Sequence, residues 1–222
     1  TEAEPMAGVS LEELSQTVGE GYLVGRAVPQ AEIELVDLPE FAPPLKADGL
    51  VPYRIAALAS GEVLVRGPHV NQRYIGDEEA NRRYKVPELD GSLWHRTGDL
   101  ARRDAEGRLW LTGRVPDRVV HQGRMLLPFV LEDAIESEVP SVRCAVLIAH
   151  AAAPEGEVVV TCEDKDADQA IAATRRVLEQ RALPRLQVRR VPQLPTDARH
   201  NSKIDRPALR EQLAKGSGRD GK

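Results

Sequence analysis

Asp99 and Arg114 are the residues whose types and spacing best suit a shared polar ligand. They lie in the run Gly91 to Gly123, which reads as a β-hairpin followed by a hinge. Leu93 to Arg103 has strand composition. Asp104-Ala-Glu-Gly107 is a turn in which glycine supplies a positive φ. Arg108-Leu-Trp-Leu-Thr alternates polar and apolar residues, as a half-buried strand does. Gly113-Arg114 closes the hairpin, and another strand-like run starts at Arg118. Asp99 follows Thr-Gly at what reads as a strand start, where a carboxylate can face a cleft. Arg114 sits behind a glycine at the other end, so the two side chains can converge. A carboxylate beside a guanidinium accepts and donates at once, which suits two vicinal hydroxyls such as those of a ribose.

The remaining reactive side chains are scattered. His95, His121 and His200 are too far apart in sequence for a metal site or a triad, and no serine lies in a nucleophile elbow. His69, His95, His121 and His150 are expected to be structural. Cys144 and Cys162 lie in apolar strand-like runs without metal spacing, so they are expected as small buried hydrophobes.

Composition bounds the function classes. A length of 222 residues allows one or two domains, and 41% hydrophobic residues suffice for a core. The net charge of −5 comes from 30 basic and 35 acidic residues that are well mixed, which argues against a nucleic-acid surface with clustered Lys and Arg. There is no signal peptide and no apolar run near ~18 residues, so neither secretion nor membrane spanning is indicated. Two isolated thiols fit a reducing cytoplasm.

The elements that must position the hairpin come on both sides of it. Upstream, Gly8 to Gly21 is a polar surface segment with a short helix over Leu11–Leu14. Ala31 to Asp37 alternates cleanly as a strand, and Gly61 to Gly67 is another. Residues 38–60 are rich in proline and alanine and read as a long, mobile connection. Asp77 opens a helix to Tyr84 as an N-cap, followed by acidic first-turn residues. Downstream, short strands flank Gly123, and Pro128 fits the first turn of a helix through Ser137. Val142–Ala149, Glu157–Glu163 and Leu186–Val191 read as strands. Asp166 to Gln180 is a helix with Ala167, Ala170, Ile171, Thr174, Val177 and Leu178 on one face. Asp205 caps a last helix with Pro207 in its first turn. This is a mixed α+β pattern: a small β-rich subdomain, a hinge, then a compact domain with helices on one face of its strands.

Trp-His-Arg-Thr-Gly-Asp-Leu, then Asp-Ala-Glu-Gly-Arg-Leu, then Gly-Arg resembles the adenylate-forming superfamily of acyl-CoA synthetases, nonribosomal adenylation domains and luciferases. The resemblance implies that residues 1–113 end a large AMP-binding domain, 114–118 form the hinge, 119–215 form a mobile C-terminal domain, and 216–222 are a disordered tail. It implies ATP as co-substrate, a small-molecule acid as partner, and Asp99 and Arg114 as nucleotide-binding residues. Thr1-Glu2 is similar to the end of a motif whose glutamate ligates magnesium, so Glu2 is the metal candidate. The chain is accordingly expected to begin inside a longer protein whose phosphate loop lies upstream.

Leu194-Pro-Thr-Asp-Ala-Arg-His-Asn-Ser-Lys-Ile-Asp-Arg resembles the superfamily's catalytic loop, with Lys203 as the activating lysine. Ser202 replaces the glycine common before that lysine. The Asp-x-Arg-His-Asn-x-Lys-Ile form is similar to olefin-biosynthesis members, which close a β-hydroxy acid into a β-lactone through its adenylate. Pro116 takes the hinge position where Asp or Lys is usual, and proline restricts φ there. Val120 stands where a lysine is frequent. Val130 replaces the first glutamate of a Glu-x-Glu pair, of which Glu132 matches the second. Gly123 is retained as a candidate pantetheine contact, and His200 as a candidate loop or substrate contact. The implied enzyme forms an acyl-adenylate from a fatty or β-hydroxy fatty acid, then makes a β-lactone or a CoA thioester. The alternative is a non-catalytic binding or regulatory fragment lacking the phosphate loop.

Overall fold

The computed structural model describes residues 3–43, 45–197 and 203–216. Glu2, His200, most of the expected tail and the 198–202 part of the Lys203 loop lie outside the described residues. The chain divides into two compact units, Thr1–Pro116 and Asp117–Lys222.

The first unit is built on antiparallel strands. They are β1 (Ala7–Gly8), β2 (Tyr22–Ala27), β3 (Glu32–Val36), β4 (Ser60–Arg66), β5 (Lys85–Pro87), β6 (Leu93–Arg103) and β7 (Leu109–Arg114). Their order is β1-β2-β7-β6-β4-β3, with β5 on β6. Two short helices interrupt them: α1 (Leu11–Gln16), capped by Ser10, and α2 (Glu78–Tyr84), capped by Asp77 through the Ala80 N–H at 2.9 Å. The β6–β7 turn forms because Asp104 holds it from both directions. Its backbone bonds Arg108 and Gly107, and its carboxylate accepts from the Arg108 N–H at 2.8 Å.

β4 is buried on both faces, as its unbroken Val-Leu-Val run requires. Val63 and Val65 join Ile33, Leu35, Ala101 and Leu109 on one side. Leu64 packs on the other with Val36, Val86 and Trp94. The cover on that second side is the 38–60 connection, through buried Leu38, Leu45 and Leu50. The expectation of a mobile linker is therefore corrected: this segment is part of the core. Arg96 pins its start, donating to the carbonyls of Pro39 and Glu40 at 2.8 and 2.7 Å while paired with buried Glu62.

The second unit opens with a hairpin of β8 (Val119–His121) and β9 (Arg124–Leu126). There follow α3 (Pro128–Glu138), β10 (Cys144–His150), β11 (Ala153–Thr161), α4 (Ala167–Gln180), β12 (Gln187–Arg190) and α5 (Arg206–Gly216). β10 and β11 are antiparallel. β11 and β12 are parallel, with α4 as the crossover that a parallel pair needs. Ala145, Leu147, Val158 and Val160 face Leu131, Ile135, Ala170 and Val177 of α3 and α4. Val146, Ile148 and Val159 face Leu209 and Leu213 of α5. The sheet is thus covered on both faces, which corrects the one-faced arrangement expected from the sequence. Ala145 and Leu147 use edge N–H groups of β10 to bond Glu136 and Glu132 of α3, at 2.8 and 2.7 Å. Both cysteines are free thiols, Cys162 buried and Cys144 half-buried. Burial, reinforced by the neighbouring Glu136 carboxylate, pushes the Cys144 thiol up to about 12, so it packs as a hydrophobe.

Candidate functional site

Thr97-Gly98-Asp99 forms a bulge inside a strand. β6 runs unbroken from Leu93 to Arg103, so Asp99 lies mid-strand and not at a strand start. Glu62 pairs with Leu100 and Leu64 with Arg96, so β6 spends extra residues opposite Val63. The Thr97 hydroxyl holds the bulge, donating to the Val63 carbonyl and accepting from the Asp99 N–H, both at 3.0 Å. Gly98 takes φ +72° between them, a left-handed value that a residue with a Cβ adopts only at a cost. The other edge of β6 changes neighbour at the same place, from β5 at Leu93–His95 to β7 at Asp99–Arg103.

A second irregularity decides what faces Asp99. From the turn outward the register pairs Arg103 with Leu109, Arg102 with Trp110 and Ala101 with Leu111. Continued evenly, it would set Asp99 against Gly113. The register instead shifts after Ala101, and Asp99 pairs with Arg114. Bulges re-aim side chains in this way beside functional sites. Arg114 Nε lies 2.9 Å from Asp99 Oδ1, and its terminal nitrogen reaches the Thr97 carbonyl at 3.3 Å. The structure therefore brings together the two residues that the sequence paired.

Lys203 and Gly123 belong to the second unit. Lys203 is exposed, at the base of a loop closed by the Thr196–Ile204 bridge and by the Asp197 N–H donating to the Lys203 carbonyl at 2.8 Å. Gly123 and Gln122 form the two-residue tip of the β8–β9 hairpin. Both have positive φ, +76° and +51°, as this tight turn requires. Space around Gly123 is open. Pro116 is exposed within a single 3₁₀ turn, Val115–Asp117, at the boundary of the units.

Sequence reasoning missed a charged cluster behind Lys203. Arg206 bonds both oxygens of buried Glu132, and Asp117 faces Arg206 and Arg210. The available signals were the Glu132 match and an arginine directly behind the Asp205 cap. Glu2, the magnesium candidate, lies outside the described residues. Among those residues no group of three His, Cys, Asp or Glu could hold a metal ion. Among them, too, no helix is long and apolar enough to cross a membrane.

No protein-family model matches the chain. It is 32% identical to an olefin β-lactone synthetase of Stenotrophomonas maltophilia over 94% of its own length and 40% of that protein's. It is also 32% identical to an indoleacetate–CoA ligase of Aromatoleum aromaticum, over 61% of this chain and 23% of that protein. The O-succinylbenzoate coenzyme A synthetase of Bacillus subtilis, solved with AMP, superposes with a TM-score of 0.67. The match covers 92% of this chain and 38% of that one at 22% identity, which speaks for the fold. Homologues and structural neighbours alike are adenylate-forming ligases. The chain spans less than half the length of these ligase relatives. Its mixed α+β architecture is the one they share.

Proposed function

We propose that this chain carries the ribose-binding and acid-activating parts of an ATP-dependent ligase, which joins a carboxylic acid to AMP and releases pyrophosphate. The observation that carries the reading is the Asp99–Arg114 pair, set face to face by two register shifts at one end of a hairpin. On this reading Asp99 accepts hydrogen bonds from the ribose hydroxyls and Arg114 donates to a ribose oxygen. The acid's carboxylate oxygen attacks the α-phosphorus, and the bond to the pyrophosphate oxygen breaks. Both reactants are negative, and the Lys203 ammonium lowers the barrier by stabilising charge as it develops between them. The resemblance puts the triphosphate cradle and the acyl pocket in the part of the relatives that this chain does not span. The test is pyrophosphate release by the full-length protein with ATP, magnesium and a panel of acids. Acid-dependent release that falls by about 100-fold or more in Lys203→Ala is expected; release unaffected by that change would remove the assignment.

Within this reading the acid is a fatty or β-hydroxy fatty acid, and the second step is lactone closure. In that step the acid's own hydroxyl oxygen attacks the activated carbonyl and displaces AMP. The support is the relative that matches 94% of the chain, the Arg199-His-Asn-Ser-Lys203 loop, and Pro116. Proline removes one dihedral from any swing of the second unit about that point, and lactone closure needs no such swing. CoA is the competing acceptor, with Gly123 as its candidate backbone contact. Turnover of a 3-hydroxy fatty acid without CoA is expected to exceed thioester formation from the unsubstituted acid with CoA. Rapid thioester formation with no CoA-independent product would leave a CoA ligase.

A further inference from the structure

Arg206 ties three parts of the second unit together. One terminal nitrogen donates to both oxygens of Glu132 at 2.8 and 2.9 Å, and the other to the Leu147 carbonyl at 2.8 Å. Its Nε faces Asp117 at 3.5 Å, and Arg210 holds the same carboxylate at 2.9 Å. Glu132 is satisfied from a second side by the Leu147 N–H at 2.7 Å. The cluster is charge-balanced, two arginines against two carboxylates.

Lys203 stands three residues before this anchor, and the backbone between them is fixed. The Lys203 carbonyl accepts from Asp197, the Asp205 N–H donates to the Pro195 carbonyl at 2.9 Å, and the Asp205 carboxylate caps α5 at Ala208. A buried ion pair adds little net stability over an apolar pair of the same volume, whereas a planar guanidinium whose two terminal nitrogens hold different acceptors, Glu132 and the Leu147 carbonyl, fixes one geometry. We propose that Arg206 is a positioning residue for Lys203: its clamp on Glu132, Leu147 and Asp117 sets where the base of the activating loop stands on the sheet. The proposal rests on the activating role given to Lys203 above. Because Asp117 begins the unit, the same guanidinium ties the lysine loop to the end of the chain at which a swing about Pro116 would act.

The experiment is a double-substitution cycle on adenylate formation in the full-length protein. Arg206→Lys keeps the charge and loses the planar set of donors that reaches Glu132, Leu147 and Asp117 together. It is expected to lower kcat by about 10- to 100-fold, the scale of a displacement of about 1 Å, with the KM for ATP within about twofold. In a Lys203→Ala background the same substitution is expected to lower the residual rate by less than about twofold, because its effect runs through the lysine. An equal loss in both backgrounds, or no loss in either, overturns the proposal. If Lys203→Ala alone leaves the rate unchanged, the activating role of Lys203 fails instead. Thermal unfolding of each variant checks that it is folded. Should Arg206→Lys not fold, Asp117→Asn, which leaves the Glu132 pair intact, runs through the same cycle with the same two outcomes.

Discussion

Each unit holds an arginine–carboxylate pair at its candidate machinery, Asp99–Arg114 in the first and Glu132–Arg206 in the second, and these two pairs are opposite in kind. The Arg114 and Asp99 side chains are 51% and 30% exposed; those of Arg206 and Glu132 are 10% and 8% exposed. An exposed pair is worth at most about 1 kcal/mol, so a ligand can take over either side chain at little cost. Backbone irregularities place the Asp99–Arg114 pair, since the bulge and the shifted register set it where it is. The buried pair has the reverse logic. Burial pushes the Glu132 carboxyl above its ordinary range, against the pull of Arg206 and of the Leu147 N–H. Such a pair is anchored and serves the geometry of its neighbours. The first arrangement suits binding, and the second suits bracing.

The widest separation between the two should appear in stability. Glu132→Ala removes the carboxylate that Arg206 bonds directly, leaving it only Asp117, which it shares with Arg210, and orphans the Leu147 N–H, which costs roughly 3–5 kcal/mol. Arg114→Ala should change unfolding free energy by less than about 1 kcal/mol. Chemical denaturation of both variants checks this. Equal costs would make the hairpin pair structural and remove the contrast.

Binding should separate them the other way. Asp99→Ala is expected to weaken nucleotide binding by about 1–3 kcal/mol, the scale for hydrogen bonds to a charged group, and Glu132→Gln to leave it within about twofold. The preference for ATP over its 2′,3′-dideoxy analogue should shrink in Asp99→Ala by a similar factor. Calorimetric titration with both nucleotides decides. A preference that survives in full places the ribose elsewhere.

How much of this was legible depends on the range of the determinants. The ends of β6 could be read because Leu93–Arg103 carries local strand composition bounded by Asp90-Gly91 and Asp104. The bulge and the shift after Ala101 could not, because His95 to Asp99 and Thr112-Gly113 contain no apolar residue whose phase an extra residue would displace. The 38–60 segment misled for a related reason. Leu38, Leu45 and Leu50 follow no helical or strand period, and only their partners Leu64 and Trp94 reveal them as core. The second covered face of β10 and β11 did have a signal, the unbroken apolar runs Val146-Leu-Ile148 and Val158-Val-Val160. Glu132 and Arg206 are separated by 74 positions, beyond the reach of any spacing rule.

A further effect, confined to acid pH, lies at the other end of the same hairpin and sharpens the contrast within one unit. Asp104 accepts from Trp110 Nε1 at 2.8 Å and from the Arg108 N–H and Nε at 2.8 and 2.7 Å. Burial opposes its ionisation, but these hydrogen bonds outweigh it and hold the carboxyl at about 2, below the ordinary 3.8. The sign follows from which state takes the proton first. With the folded value depressed, the unfolded chain protonates at the higher pH. The contribution to stability is therefore fully present above about 3.8 and is lost as the pH falls toward 2. Discounted for solvent screening, it is on the order of 1–2 kcal/mol. Asp104→Asn removes the titrating group, so the first unit should lose less stability between about pH 5 and pH 2.5 than the unsubstituted chain does. Both tryptophans, Trp94 and Trp110, lie in this unit, so urea unfolding followed by their fluorescence reports on it. An acid loss of the same size in Asp104→Asn would show that the ionised carboxylate does not contribute to the stability of the first unit.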